Sequence, residues 1–316
     1  NEHGLKTDYL WKEVLTPSGL TNILENYAQI IEIKSEKTGR KKGVQIFPRY
    51  HQLGVVRKAL ADVHDNGAGK RYLIQHSAGS GKSNSIAWLS HQLIGVKRND
   101  KEVFDSVIVV TDRRILDDQI QKTIKQFMQV GSTVGHAQRS GDLRKFIEEG
   151  KKIIVSTVQK FPFILDEIAT EAGKTFAIVI DEAHSSQGGK TSAAMSQALG
   201  DEPEDKGNVP DPEDTVNEAL EKRMAARKML TNASYFAFTA TPKNRTLEMF
   251  GIALPPDAEG KVKHRPFHSY TMKQAIEERF ILDVLKAYTP VESYYKLVKK
   301  VEDDPEFDTK KAKKKL

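Results

Sequence analysis

The amino-acid sequence predicts an α/β fold: a doubly wound, mainly parallel sheet with helices on both faces, preceded by a helical N-terminal segment. Short runs of β-branched residues alternate with stretches of helical periodicity, and this alternation implies right-handed crossover connections. Two of the runs, 107–110 (VIVV) and 177–180 (AIVI), are apolar throughout, as expected of strands buried on both faces. A glycine-rich loop at 76–83 joins a strand-like run to a helical one, which is typical of this class.

The first predicted elements are helical. Apolar residues recur at helical spacing over residues 8–31, and the sequence TPSG at 16–19 breaks this run into two helices. Residues 34–42 are polar and basic and predict a hairpin or linker, and helical spacing returns at 49–63. We therefore expect a helical segment and linker at 1–45, ahead of the α/β domain.

The α/β domain is expected to occupy residues 46–290. Within it, residues 201–214 are acidic and proline-rich, which indicates a surface insertion, and beyond it we expect a linker and basic tail at 291–316. The predicted strands lie at 72–75, 106–110, 152–155, 176–180 and 235–238. The predicted helices lie at 82–94, 115–128, 141–149, 215–230 and 272–280.

Composition excludes several classes of protein. No run approaches eighteen apolar residues, so we expect no membrane span. Cysteine is absent, which excludes disulfides and cysteine–metal sites and agrees with a cytoplasmic location. The net charge is +6, but bulk charge does not by itself predict nucleic-acid binding here, because five of those charges come from one tail. These tail residues are Lys310, Lys311, Lys313, Lys314 and Lys315.

The loop at 76–83 (HSAGSGKS) approximates the phosphate-binding pattern G-x-x-x-x-G-K-[ST], with His76 in place of the first glycine. Glycines let the backbone curl so that successive amides face phosphate oxygens, and the dipole of the following helix adds to the attraction. Lys82 is expected to reach the β- and γ-phosphates, and the Ser83 hydroxyl to bind Mg²⁺. The predicted ATP-binding residues of this loop are Ala78, Gly79, Ser80, Gly81, Lys82 and Ser83.

Two further polar segments follow predicted strands. Asp181 comes directly after the strand at 176–180, where its carboxylate can complete the Mg²⁺ shell, and Glu182 is the candidate base that orients the attacking water. The segment 238–242 (FTATP) follows another strand. We predict that His184, Thr239 and Thr241 couple the two segments through hydrogen bonds that shift when the γ-phosphate leaves.

Selection of ATP is predicted upstream of the loop, at residues 47–52 (FPRYHQ). The Gln52 side chain can pair bidentately with adenine, and the Arg49 guanidinium can stack on a base. The start of an amphipathic helix is the alternative interpretation of this segment.

Strand ends also predict contacts to a nucleic-acid backbone. Hydroxyl, amide and cationic side chains there suit phosphate binding without base readout. Ordinary loop residues are the alternative. The predicted DNA-binding residues are Thr111, Arg113, Arg114, Thr157, Gln159 and Lys160.

Taken together, these motifs are similar to those of a superfamily 2 helicase, over its first RecA-like lobe. More narrowly, the chain resembles the R (HsdR) subunit of type I restriction–modification enzymes over about residues 5–290. The segments that carry the resemblance are 47–52, 76–83, 109–114, 181–184, 238–242 and 270–281.

The resemblance implies a RecA-like P-loop NTPase fold and an ATP-driven translocase of double-stranded DNA, with Lys82, Asp181 and Glu182 as catalytic residues. It also implies methylation and specificity subunits as partners. We expect the chain to depart from the family pattern in two ways, because no segment of it matches the nuclease domain or a second RecA-like lobe. We therefore expect a fragment that binds Mg-ATP weakly and hydrolyses it hardly at all, since the second lobe supplies an arginine that stabilises the transferring phosphoryl group.

Two other functions stay open from the sequence. One is an RNA helicase of the DEAH type, which RNA rather than DNA would stimulate. The other is a nucleotide-dependent switch without motor activity, which would bind ATP but show little nucleic-acid affinity.

Overall fold

The structure is a computed structural model that describes residues 4–5, 7–34, 39, 41–111, 134–137, 140–157, 168, 171, 173–181, 230, 232–283 and 286. The chain divides into two compact units, residues 1–272 and residues 273–316. The candidate site belongs to the first unit. The predicted helix at 115–128, the predicted helix at 215–230 apart from its last residue, the insertion at 201–214 and the tail at 291–316 lie outside the described residues.

A parallel sheet of seven described strands forms the centre of the first unit. From one edge to the other, its strands are β13 (His268–Tyr270), β3 (Arg71–His76), β10 (Ala233–Thr239), β9 (Phe176–Ile180), β6 (Ser106–Thr111), β8 (Ile153–Thr157) and β7 (Val134–His136). Strands β6, β8, β9 and β10 are buried along their whole length, as expected of parallel strands covered on both faces. The predicted parallel α/β sheet is confirmed.

Helices and short hairpins complete the described part of the chain. The helices are α1 (Pro17–Asn26), α2 (Tyr50–Asn66), α3 (Lys82–Leu93), α4 (Ser140–Glu148), α5 (Asn244–Phe250) and α6 (Met272–Glu277), and a π-helical turn (Leu10–Val14) precedes α1. The antiparallel pairs are β1 (Gln29–Lys34) with β2 (Lys41–Ile46), β4 (Lys97–Arg98) with β5 (Lys101–Glu102), and β11 (Ile252–Ala253) with β12 (His264–Arg265). None of the described helices is both long and apolar enough to cross a bilayer.

Side chains of the sheet alternate between two hydrophobic clusters, one on each face. Val107 and Val109 of β6 pack in the cluster that contains residues of α2 and α3. Ile108 and Val110 of the same strand pack in the other, with Ile147 of α4 and residues of α5. Period-two alternation therefore distributes one apolar strand between two cores, and helices cover both faces as the sequence predicts.

The N-terminal segment packs on the same core. Ile23 of α1 and Tyr27, which directly follows that helix, are buried in the cluster that contains α2 and α3. The Trp88 indole N–H donates to the Tyr27 carbonyl over 2.9 Å, and Arg57 of α2 donates to the Asn22 side chain over 2.9 Å. These contacts fix α1 against both helices.

One part of the N-terminal prediction is wrong. Ile30, assigned to a helix from its spacing, lies in β1 and pairs with Gln45 of β2. Its side chain is 71% exposed, whereas Ile31 packs against the core. Successive side chains that lie on opposite faces are typical of a strand. In a short apolar run, the periodicity alone does not distinguish a helix from a strand. The pairing of β1 with β2 agrees with the predicted hairpin.

Candidate functional site

The motifs singled out from the sequence meet at one edge of the sheet. The parallel register places Thr239 beside Gln75, and Ala237 beside Ile180. Ile180 in turn pairs with Val110, and the backbone N–H of Asp181 donates to the Val110 carbonyl over 2.9 Å. Strands β3, β10, β9 and β6 therefore end side by side, at the edge where parallel α/β sheets bind ligands.

The phosphate loop, residues 76–83, turns through two left-handed glycines. Gly79 has φ +74° and Gly81 has φ +79°, conformations that favour glycine over other residues. A Cβ atom at Gly81 would lie 2.5 Å from the Gln52 side-chain nitrogen, so only glycine fits there without movement. Helix α3 begins at Lys82 with Gly81 as its N-cap, and its first backbone N–H groups are the kind that bind anions.

Burial separates the residues of this edge into two groups. Ala78 and Gly79 are exposed at the tip of the loop, and Ser83 is half-buried. Lys82 is 9% exposed and Asp181 is 6% exposed. One ammonium and one carboxylate therefore lie deep at the same edge of the sheet.

The residues present fit Mg²⁺ together with a phosphate group. The described part of the chain holds no cluster of three His, Cys, Asp or Glu side chains that could cage a metal ion by itself. Mg²⁺ does not need such a cage, because it is usually bound through one or two protein groups plus substrate phosphates and water. Ser83 and Asp181 could supply the protein ligands.

Helix α2 holds the phosphate loop through its first turn. The Gln52 amide N–H groups donate to the carbonyls of Gly81 (3.0 Å) and Ser80 (3.4 Å), and its side-chain oxygen accepts the Arg49 backbone N–H over 2.9 Å. His51 Nε2 lies 3.0 Å from the Ser80 carbonyl oxygen. Gln52 is 4% exposed. Its predicted contact with adenine stays a prediction, as does stacking by the exposed Arg49.

An open cavity of about 840 Å³ lies on the other side of the same turn of α2. Its size is in the range of small-molecule sites. Phe47 and Tyr50 line it, each 50% exposed, together with Tyr9, which is 40% exposed. Phe47 and Tyr50 belong to the segment predicted to select the base, so part of that segment lines this cavity.

A hydrogen bond that the sequence did not predict lies under the loop. His76 Nε2 is 2.9 Å from His268 Nδ1 of β13, and His76 is fully buried. Burial lowers the pKa of His76 to about 2 and, with Lys58 nearby, the pKa of His268 to about 4, so both rings are neutral at pH 7. These residues are 192 positions apart, and only the unusual histidine at the first motif position hinted at a special role.

The predicted nucleic-acid contacts are partly described. Thr111 and Thr157 pair across β6 and β8, but Thr111 is fully buried and Thr157 is 7% exposed. Neither side chain presents a surface for a DNA backbone in this conformation, and their DNA-binding role stays a prediction. The cationic and amide candidates, Arg113, Arg114, Gln159 and Lys160, lie outside the described residues.

The predicted base and part of the coupling segment are not described either. Glu182 and His184 lie outside the described residues, whereas Thr239 is fully buried at the end of β10 and Thr241 is exposed just beyond it. Of the three predicted catalytic residues, the structure therefore places Lys82 and Asp181 at the same edge. The roles of all three stay predictions.

Comparison with known proteins agrees with this geometry. The profile of the SWI2/SNF2 ATPase family matches residues 51–315. A Methanocaldococcus jannaschii protein, named as the candidate endonuclease subunit of type I restriction enzyme MjaIXP, is 26% identical over 249 residues. That match covers 74% of this chain and 19% of the relative. It confirms the resemblance to restriction-enzyme subunits.

Two solved structures are also similar. A nuclease-deletion mutant of the Type ISP restriction–modification enzyme LlaGI, with a DNA substrate mimic, is 18% identical with a TM-score of 0.43, covering 82% of this chain and 23% of that chain. The Pyrococcus furiosus Hef helicase domain is 17% identical with a TM-score of 0.38, covering 62% and 33%. At these TM-scores the likeness assigns no function.

The family match extends over most of the chain and includes the phosphate loop, Asp181 and Thr239. These are the groups that the sheet brings to one edge. The chain is accordingly a helicase-like ATPase related to type I restriction-enzyme subunits, and it belongs to the SWI2/SNF2 ATPase family.

Proposed function

We propose that this chain is the ATP-binding motor lobe of a type I restriction endonuclease R subunit, and that it couples ATP hydrolysis to translocation of double-stranded DNA. The observation that carries the proposal is the convergence of the phosphate loop, Asp181 and Thr239 at one sheet edge. The M. jannaschii match supports the choice of a restriction-enzyme subunit. The chain spans 19% of that relative's length.

Binding of the triphosphate begins at the phosphate loop. The two left-handed glycines shape the backbone so that amides can face phosphate oxygens, and the N-terminus of α3 adds its dipole. Lys82 contributes a full positive charge toward the β- and γ-phosphates. Because Lys82 is nearly buried, its attraction to phosphate is screened less than that of a surface lysine.

Hydrolysis is assigned to the neighbouring strand ends. Ser83 and Asp181 would hold Mg²⁺, which neutralises charge on the phosphates when bound. Glu182 follows Asp181 directly and is the proposed base that orients the attacking water. Asp181 and Glu182 would thus divide the work between metal binding and proton transfer.

Coupling is assigned to β10, which lies between the two strands that bear these groups. Thr239 ends this strand beside Gln75 of β3. A hydroxyl in that position can exchange partners when the γ-phosphate leaves, and we propose that Thr239, Thr241 and His184 transmit the change. The DNA backbone would be held by the strand-end segments that begin at Thr111 and Thr157.

The base of the nucleotide is proposed to lie at the first turn of α2. The Arg49 guanidinium would stack on the base there. Gln52 would read the adenine edge, which requires it to release one of its bonds to the loop. The methylation and specificity subunits of such an enzyme are the proposed protein partners, and the cytoplasm is the proposed location.

ATP hydrolysis tests the proposal. It would be measured without nucleic acid, with duplex DNA and with RNA, for this chain alone and for a form extended by a second motor lobe. We expect duplex DNA to stimulate the extended form and Glu182→Gln to abolish that stimulation. Stimulation by RNA but not by duplex DNA would replace the translocase with an RNA helicase. ATP binding without stimulation by either would favour a nucleotide switch.

A further inference from the structure

The edge strand β13 is three residues long, yet two of its side chains reach toward the phosphate loop. Its backbone pairs with β3, and the Ser77 N–H donates to the Tyr270 carbonyl over 2.9 Å, where β3 passes into the loop. Tyr270 is 1% exposed. Strands this short contribute little pairing of their own, so the contacts of their side chains decide what they do.

The first contact is the hydrogen bond between His76 and His268. One ring must donate a proton and the other must accept it, since their nitrogens are 2.9 Å apart and both rings are neutral at pH 7. His76 is the residue from which the phosphate loop leaves β3. The bond therefore fixes the side chain at the base of the loop to a residue of the edge strand.

The second contact is a stack between His51 and Tyr270. Their ring centroids are 3.8 Å apart and the planes differ by 4°. His51 Nε2 lies 3.0 Å from the Ser80 carbonyl oxygen, which can only accept, so His51 donates there. Tyr270 thus supports the plane of a histidine that holds the middle of the loop.

Helix α2 completes the arrangement by holding the start of β13. Lys58 donates to the Phe267 carbonyl over 2.8 Å and lies 4.5 Å from the centroid of the Phe267 ring. Gly54 of the same helix lies next to His268, since a Cβ there would be in ordinary van der Waals contact with His268 Nε2, at 3.6 Å. Helix α2 and β13 therefore contact each other and also contact the loop.

We propose that His268 and Tyr270 are positioning residues that hold the phosphate loop in its binding conformation, His268 through His76 and Tyr270 through His51. The edge strand thus sets the geometry of a loop that begins on its neighbour. This inference rests on the proposed function in taking the loop as the ATP site. The chain leaves β13 two residues before the second compact unit begins.

Backbone amide exchange without nucleotide tests the inference directly. In His268→Leu, exchange of amides in residues 77–83 should be about tenfold faster than in the unchanged protein, the loss expected for one hydrogen bond. His268→Asn is the matched control, because its amide places a polar atom near the position of Nδ1. We expect it to restore slow exchange to within about threefold.

A second pair of variants tests the stack. Tyr270→Leu should speed exchange at the loop, and Tyr270→Phe should not, because phenylalanine keeps the aromatic plane beside His51. The reference peptide is β6, whose exchange should stay unchanged in all four variants. The inference would be overturned if each leucine variant exchanged its loop amides at the same rate as its conservative partner, His268→Asn or Tyr270→Phe. It would also be overturned if exchange became faster in β6 as well as in the loop.

Mg-ATP binding by the same variants separates this inference from the proposed function. We expect His268→Leu to weaken binding about tenfold and His268→Asn to leave it within about threefold. If the unchanged protein does not bind Mg-ATP, the proposed function fails, and amide exchange still decides whether β13 holds the loop. If binding is present but unaffected by His268→Leu, the positioning role fails alone.

Discussion

The central sheet has one edge where its parallel strands begin and another where they end, and the polar residues of these two edges have different roles. At the edge where β6 and β9 begin, Asp105 accepts hydrogen bonds from the Thr175 backbone N–H (2.7 Å) and hydroxyl (3.1 Å). The Ser106 hydroxyl donates to the Lys151 carbonyl over 2.8 Å. These groups satisfy one another and join the strands, so this edge serves the fold.

At the opposite edge, three buried serine hydroxyls differ from this pattern. The hydroxyls of Ser77, Ser80 and Ser156 are inaccessible and have no hydrogen-bond partner among the described residues. Such groups are costly to bury. Two of these serines belong to the phosphate loop, which α2 and β13 contact through His51, Gln52 and Tyr270.

The largest effect is expected at Lys82. Lys82→Ala should weaken Mg-ATP binding at least about 100-fold, because charge-assisted bonds to phosphate contribute about 3 kcal/mol. The free energy of unfolding is measured alongside, so that a loss of binding is distinguished from a loss of folding. Titration calorimetry with Mg-ATP measures the first quantity and urea unfolding the second. Binding within threefold of the unchanged protein would contradict the assignment.

The next effect concerns the shape of the loop. Gly81→Ala should destabilise the protein by about 2–4 kcal/mol, because alanine is strained at φ +79° and its Cβ would meet Gln52 at 2.5 Å. Gly173→Ala is the control near the opposite edge, where an added Cβ meets nothing within 4 Å. Urea unfolding compares the two. If Gly81→Ala and Gly173→Ala changed the free energy of unfolding equally, the backbone of the phosphate loop would not be the more constrained of the two.

Acid should weaken the protein through the histidines beneath the loop. Burial lowers the pKa of His76 to about 2 and of His268 to about 4, from 6.5. Below pH 6.5 the unfolded chain therefore binds more protons than the folded protein does. The stability that these neutral rings contribute is complete above about pH 6.5 and falls as the pH drops toward 4. Each histidine contributes at most about 1.4 kcal/mol per pH unit.

Urea midpoints at pH 7, 6 and 5 measure this slope. The combined variant His76→Asn and His268→Asn should show a shallower fall, because it lacks the two groups that take up protons on unfolding. A midpoint that rises toward pH 5 in the unchanged protein would contradict the burial of the two rings.

The smallest effect is expected at the edge that serves the fold. Asp105→Ala should cost about 1 kcal/mol of stability by removing the acceptor of two bonds from Thr175. It should leave the Mg-ATP dissociation constant within twofold, because Asp105 lies at the strand beginnings. Urea unfolding and the same ATP titration check both statements. A tenfold loss of ATP affinity in Asp105→Ala would show that the strand beginnings also contribute to ATP binding.

The strands and helices that have strong local sequence patterns were predicted from the sequence. The run at 176–180 coincides with β9, and the helix predicted at 82–94 is α3 apart from its last residue. Continuous β-branched runs and a glycine–lysine loop are local signals. They were sufficient to predict the sheet and the phosphate loop.

What the sequence could not give depends on distant partners. Strand β13 is three residues long and shows no periodicity, so the bond from His268 to His76 was not foreseen. Gln52 was assigned to adenine from its position before the loop, but its bonds to Ser80 and Gly81 appear only once α2 is placed. Burial of Thr111 likewise follows from the strands on either side.

Amide exchange with and without Mg-ATP tests the central claim most directly, because it reports both edges in one measurement. The account predicts slower exchange at residues 77–85 and at the ends of β9 and β10, with no change at 97–106 or 173–175. Lys82→Ala should abolish the protection. Protection that appeared at the strand beginnings, or none at the phosphate loop under saturating Mg-ATP, would contradict the assignment of this edge as the ATP site.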